Sequence, residues 1–231
     1  MPRRFDPALL PEAPDLAAES ALWEAGVRYI AGIDEAGRGS LAGPVAVGAV
    51  ILPADPEVAY ALKEVRDSKQ LSPRQREECS QQIKRLALAW EVGFASHTEI
   101  DDFGIVYAIH LAAGRALKGL LISPEHLLID YIFLPEHPSP QTALIKGDAR
   151  SLSIASASIL AKTARDLQLC ELDGQFPDYG FAEHKGYCTP GHVEALTRLG
   201  PSPVHRHSYR PLAVRNLNTK GTKGITKDTK I

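Results

Sequence analysis

Asp34 and Glu35 are adjacent acids at the end of an apolar run, and Gly37-Arg38-Gly39 follows almost at once. Tyr29 to Ile33 reads as the end of a strand and Pro44 to Leu52 as a second, buried strand, which places both acids at a strand tip. Carboxylates in such a place stay charged only with a partner, and nearby in sequence Arg38 alone offers one. A divalent cation is the natural alternative, because hard cations take carboxylate oxygens. The flanking glycines let a backbone approach another molecule closely. This pattern points to metal-assisted chemistry on a phosphate-bearing ligand. The competing reading is a turn between two hairpin strands with solvated acids.

Two further acids share the same kind of address. Asp130 lies inside the apolar run Leu127-Leu128-Ile129-Asp130-Tyr131-Ile132-Phe133, and Asp148 in Lys146-Gly147-Asp148 precedes a long Ala/Ser-rich segment. A neighbouring lysine or backbone amides would satisfy a lone Asp130, and helix capping would account for Asp148. Four carboxylates converging would instead repel one another and raise each other's pKa. Divalent ions remove that penalty, and two of them clamp the attacking and leaving oxygens of a phosphodiester. A further acid, Asp166 in Thr163-Ala164-Arg165-Asp166, reads as structural and paired with a basic neighbour.

The elements that must position these groups follow from periodicity and caps. Strands are expected over about 28–34, 44–52, 88–96 and 127–132, with an edge strand over 142–145. Ser72-Pro73 reads as a cap and first turn opening a helix to about Leu86. Thr98 opens another helical region, in which Ile109, Ala112, Ala113, Ala116, Leu117 and Leu120 share one apolar face. A short helix is expected around Leu16 to Ala25, a long one from Ser151 to Leu172, and a short one from Pro190 to Leu199. Early strands, then alternating helices and strands, then terminal helices indicate an α/β domain with a mixed central sheet flanked by helices. The expected division is an N-terminal extension over 1–27, a catalytic domain over 28–180, a small helical C-terminal appendage over 181–215 and a disordered tail over 216–231. That tail is a Thr/Lys/Gly stretch with too little apolar surface to order itself.

Bulk composition narrows the setting. The 231 residues are 44% apolar and 23% charged, which is ordinary for a globular chain. Cys79, Cys170 and Cys188 have neither metal spacing nor the number for a disulfide framework, so a reducing compartment is expected. The longest apolar run, Leu41 to Leu52, is short for a membrane span and contains Gly43, Pro44 and Gly48. With no signal-like opening segment, the expectation is a cytoplasmic protein without a membrane partner. The net charge is −2, yet residues 181–231 hold nine lysines and arginines against three acids. An acidic body with a basic C-terminal part suits a protein holding cations at one place and phosphates at another.

The chain resembles the prokaryotic type 2 ribonucleases H over roughly residues 28–210. The resemblance rests on five blocks in order. They are Gly32-Ile33-Asp34-Glu35-Ala36-Gly37-Arg38-Gly39, Asp67-Ser68-Lys69-Gln70-Leu71-Ser72, Lys146-Gly147-Asp148, Ile154 to Lys162, and Tyr179 to Tyr187. It implies an RNase H-like fold, Mg²⁺ or Mn²⁺ dependence and cleavage of RNA paired with DNA, including at single ribonucleotides embedded in duplex DNA. The expected partners are therefore RNA/DNA hybrids and ribonucleotide-containing duplex DNA, with no obligatory protein partner. Asp34, Glu35, Asp130 and Asp148 match the family's metal-binding carboxylates, and Gly37-Arg38-Gly39 the loop that reads the ribose 2′-OH. Tyr187 matches the tyrosine that packs on the nucleotide 3′ of the ribonucleotide, whereas frequency alone would make it a half-buried core tyrosine. Lys69, His184 and Lys185 are expected at phosphates. Tyr131 departs from the pattern, since glycine usually follows the third acid. Related nucleases acting on DNA structures or on long hybrids only, and a non-catalytic duplex-binding module, remain the rival expectations.

Overall fold

The computed structural model describes residues 10–130, 132–209 and 212; the expected tail over 216–231 and the departure at Tyr131 lie outside the described residues. Five strands form one sheet in the order β3-β2-β1-β4-β5. These are β1 (Ile30–Ala36), β2 (Val45–Ile51), β3 (Ala89–Ala95), β4 (His126–Asp130) and β5 (Gln141–Leu144). β1 to β3 run antiparallel as a meander, while β4 pairs parallel with β1 and β5 parallel with β4. The sheet is therefore mixed, as the element pattern requires.

Helices cover both faces. α1 (Ala17–Glu24), α2 (Glu57–Ala61), α3 (Pro73–Leu86) and the long α6 (Leu152–Gln175) are accompanied by α4 (His97–Phe103) and α5 (Ile105–Gly119), then by α7 (Phe181–His184) and α8 (Pro190–Leu199). α5 lays Ala108, Ile109, Ala112, Ala113 and Ala116 on the face presented by Ala31, Ile33, Val47 and Ala49. α6 covers the opposite face, and its small residues set how closely it sits. A Cβ on Gly32 would lie 2.2 Å from the Ser153 carbonyl carbon, and one on Gly48 2.2 Å from the Ala157 oxygen. Glycine on the strands and Ala/Ser on the helix are thus one packing solution.

The helix boundaries follow local chemistry. Ser72 and Ser96 each form a reciprocal capping box, with Gln75 and Glu99 respectively, at the starts of α3 and α4. The helical region expected from Thr98 onward is two helices, broken at Gly104, whose φ of +82° ends α4. α2 has no counterpart in the sequence reading, because five residues carry too little periodicity to register. At the N-terminus, the buried Glu19 of α1 accepts bonds from Ser151 Oγ at 2.6 Å, Ser153 N at 2.9 Å and Ser153 Oγ at 2.6 Å. An acid at the start of α6 complements its positive helix end and ties α1 to the helix beneath the sheet.

Candidate active site

The parallel pairing of β1 with β4 builds the site. Ile33 pairs with Ile129, so the next residue on each strand, Asp34 and Asp130, lies side by side on the α6 face. Asp148 enters from the single 3₁₀ turn Gly147–Ala149 that leads into α6, and the Gly147 amide donates to Asp130 Oδ1 at 2.9 Å. Carboxylate oxygens of Asp34, Asp130 and Asp148 all lie within 4.8 Å of one another. Asp34 and Asp148 are buried and Asp130 partly so. Glu35 stands apart from this trio. Strand alternation turns it to the opposite face, and its Oε1 lies 3.7 Å from an Arg38 guanidinium nitrogen while still lining the same cleft.

The electrostatics fit a place that could hold a cation. Burial, then Glu35, push the Asp34 carboxyl well above its ordinary range; Ser158 draws it down, and Asp130 and Asp148 push it further up. Burial also raises Glu35, with Arg38 opposing and Asp130 adding to the rise. Asp130 is raised by burial, opposed by the Gly147 amide and Lys69, and raised again by Asp148. Lys69 Nζ lies 3.7 Å from Asp148 Oδ2, yet its side chain is 79% exposed and screens the trio poorly. Burial lowers Lys69's affinity for its proton, but Asp67, Asp148, Asp34 and Asp130 together outweigh that effect. Three hard oxygen donors gathered this closely, two of them with raised proton affinity, fit a divalent ion better than they fit each other.

The cleft holding the trio has a volume of about 270 Å³, and Gly37-Arg38-Gly39, Ser68, Lys69, Ser158, Lys162 and Tyr187 complete its lining. Its loop wall is held from behind. Arg165, fully buried, donates Nε to Pro44 O at 2.9 Å, one terminal nitrogen to Lys185 O at 3.1 Å, and the other to Ser40 Oγ at 2.7 Å and Ala42 O at 3.2 Å. Arg206, also fully buried, donates to Gly43 O at 3.0 Å, Arg38 O at 3.1 Å and Pro44 O at 3.0 Å. Tyr209 OH donates to the same Arg38 carbonyl at 2.8 Å. Gly37 has a φ of +92°, and a Cβ there would fall 1.9 Å from Arg165 Nε, so glycine is required twice over.

Tyr187 is partly buried and lines the same cleft, with Lys162 Nζ and Arg165 Cζ each 5.3 Å from its ring centroid. The turn before it is coupled to the glycine loop through Leu41 N to Gly186 O at 2.8 Å. His184, expected at a phosphate, has both ring nitrogens engaged instead: Nε2 donates to Tyr179 O at 2.8 Å and Nδ1 accepts from Gly186 N at 3.1 Å. Lys185 donates its ammonium to Ala182 O. Asp166 pairs at 2.6 Å with Lys162 and at 3.6 Å with Arg76, as a structural acid should. Sequence reasoning missed Ser68, Ser158, Lys162, Arg165 and Arg206. The first three lie inside quoted sequence blocks, but their aim at the cleft is a matter of helix and loop rotation. The two arginines become visible as scaffold only once their carbonyl partners are known.

Comparison with known proteins places this geometry. A family model described as Ribonuclease HII matches residues 31–211. The Ribonuclease HII of Myxococcus xanthus is 50% identical over 198 residues, covering 85% of this chain and 66% of that protein. That of Thermus thermophilus is 49% identical over 195 residues, covering 84% of this chain and 92% of that protein. Some relatives are longer: this chain spans 61% of the Anaeromyxobacter protein. Among solved structures, the ribonuclease H2 of Pyrococcus horikoshii OT3 shares the fold, with a TM-score of 0.67 at 24% identity over 84% of this chain and 99% of that one. The PCNA:RNase HII complex from Archaeoglobus fulgidus aligns with a TM-score of 0.65 at 26% identity, over 79% of this chain and 95% of the other. With a family match across most of its length and relatives sharing half of the aligned residues, this chain belongs to the ribonuclease HII family.

Proposed function

We propose that this protein is a metal-dependent endoribonuclease. It hydrolyses the RNA strand of RNA/DNA hybrids, including the phosphodiester 5′ of a single ribonucleotide embedded in duplex DNA, and leaves 3′-hydroxyl and 5′-phosphate ends. One observation carries the reading: three carboxylates within 4.8 Å of one another share a cleft with a glycine loop and an aromatic ring. Asp34, Asp130 and Asp148 would hold the metal, with Glu35, paired with Arg38, lining the same cleft. Mg²⁺ or Mn²⁺ fits these oxygen donors, and a Bst-RNase HIII of similar fold is described in complex with Mn²⁺. When bound, such an ion supplies charge stabilisation at a phosphoryl oxygen and lowers the pKa of water.

The chain's own residues do the rest. Lys69 and Arg38, both well exposed at the cleft, receive the phosphates. The backbone of Gly37 to Gly39 meets the 2′-OH, the group that separates RNA from DNA in a shallow minor groove. Tyr187 packs on the nucleotide 3′ of the ribonucleotide, where a deoxyribose leaves room that a second hydroxyl would fill. Lys185 adds positive charge beside it. Binding then rests largely on phosphate contacts and weakens with salt. No protein partner is needed for this chemistry, and a cytoplasmic setting suits it; among the described residues no helix is long and apolar enough to cross a membrane.

A labelled duplex with one internal ribonucleotide tests the proposal. Incubation with Mn²⁺ should cut it 5′ of the ribonucleotide, and chelator should stop the reaction. Cleavage that persists in chelator, or cuts placed in all-DNA controls, would reject it.

A further inference from the structure

Three histidines crowd behind Tyr187, away from the acids, and the proposed chemistry uses none of them. His192 and His205 are both fully buried, with their Nε2 atoms 2.9 Å apart. His184 stacks on His192 with ring centroids 4.1 Å apart. Beyond the pair, His205 Nδ1 lies 2.9 Å from Ser202 N and 2.7 Å from Ser202 Oγ. At the other end, His192 Nδ1 lies 2.9 Å from Tyr187 O.

The ends of this chain have fixed polarity, and that determines every proton in it. The Ser202 amide can only donate, so His205 Nδ1 accepts and its proton sits on Nε2. His205 Nε2–H then donates to His192 Nε2, which leaves the second proton on His192 Nδ1. That proton is given to the Tyr187 carbonyl, which can only accept. Both rings are neutral, in opposite tautomers, and a proton added to either ring would set two N–H groups against each other.

The chain ends where Tyr187 needs fixing. Lys185 and Gly186 have φ of +52° and +76°, so Tyr187 leaves a left-handed turn at the end of α7 and lies in no helix or strand itself. Its amide donates to His184 O at 3.0 Å, and its carbonyl also accepts from Thr189 N at 2.8 Å. Thr189 caps α8, and Pro190 opens it, so His192 stands on the first turn of that helix, one element away from the cleft.

We propose that His192, oriented by His205 and Ser202, is a positioning residue that sets the pitch of Tyr187 in the cleft and thereby the preference for a deoxyribose 3′ of the ribonucleotide. This rests on the reading of Tyr187 given above.

His192→Phe keeps the ring volume and removes the donor, and His192→Asn restores a donor near the Nδ1 position. His192→Phe should lower kcat/KM about tenfold on a duplex with one embedded ribonucleotide and far less on a continuous hybrid, with His192→Asn recovering most of the loss. A merely structural role would lower both substrates alike. Two spectroscopic readouts stand apart from activity. The unmodified protein should give a through-hydrogen-bond ¹⁵N–¹⁵N coupling between the two Nε2 atoms, and the Tyr187 carbonyl ¹³C shift should move in His192→Phe and return in His192→Asn. Absence of the coupling, an unmoved carbonyl, or equal losses on both substrates overturns the proposal. Tyr187→Ala run in parallel separates the failures. If it cuts the embedded ribonucleotide normally, the reading of Tyr187 is at fault, and the coupling and carbonyl shift still decide what His192 does.

Discussion

The carboxylate trio and the basic scaffold behind the glycine loop are both buried polar regions, yet they are satisfied in opposite ways. Asp34, Asp130 and Asp148 face one another, and burial first, with neighbouring carboxylates adding to it, raises the proton affinities of Asp34 and Asp130. Arg165 and Arg206 are just as enclosed, and each places its guanidinium against backbone carbonyls of the 38–44 and 185 segments. The scaffold is complete within the chain. The trio offers oxygen donors that a divalent ion would fit. A folded protein can keep a cluster of like charges only where something rigid surrounds it, and the arginines supply part of that rigidity.

The largest test of this contrast is Asp34→Asn. Losing a ligand should cost about a thousandfold in cleavage rate, since a bound metal contributes several kcal/mol of transition-state stabilisation. The same change should make the metal-free protein more stable, because it removes a raised, repelled carboxylate. Cleavage near the normal rate, or a less stable apoprotein in urea titration, would break the contrast on the acidic side.

Arg165→Met attacks the other side. It leaves several buried acceptors without donors, at a cost of about 3 kcal/mol or more. Thermal melting should register the loss with and without metal alike, and an unchanged melting temperature would mean the scaffold role is misassigned. Gly37→Ala should come next, at about 2 kcal/mol, because alanine is strained at positive φ and would strike the Arg165 side chain. Cleavage should fall with it as the loop shifts. An active, fully stable Gly37→Ala would show that the loop tolerates displacement.

Acidity acts with opposite sign on the raised acids and on the buried histidine pair. Burial first, then His192, push His205 down to about 4 from an ordinary 6.5. Between those values the unfolded chain binds a proton that the native chain refuses, so this group's stability contribution is full above 6.5 and fades on acidification. The loss between pH 7 and pH 5 is about 2 kcal/mol. The raised acids work the other way, since the native metal-free chain holds protons that the unfolded chain has released. Urea unfolding of the protein and of His205→Gln at both pH values isolates the histidine part. An identical pH slope in the two would refute it. Lys69→Ala should have the smallest effect on stability, under about 1 kcal/mol, as an exposed ion pair partner.

Much of this was legible in the residues themselves. The strand tip carrying Asp34 and Glu35, the buried run holding Asp130, and the cap at Ser72 all follow from local pattern, because each depends on neighbours within a few positions. Asp166 read as a paired acid and proved to contact Lys162 and Arg76. His184, expected at a phosphate, has its ring nitrogens engaged by the Tyr179 carbonyl and the Gly186 amide. Nothing local distinguishes such a histidine from a free one.

The sequence by itself determined which side chains carry charge, where the strands and helices begin, and that acids fall at the ends of buried strands. Tertiary structure decided which acids meet. Parallel pairing of β1 with β4 puts Asp34 beside Asp130, while strand alternation turns Glu35 away from them. It also decided that residues more than a hundred positions apart, such as Arg165 with Ser40 and Arg206 with Gly43, share hydrogen bonds. The reason is physical. Charge and periodicity are properties of short segments, whereas convergence depends on register and packing, which exist only when the whole chain has closed on itself.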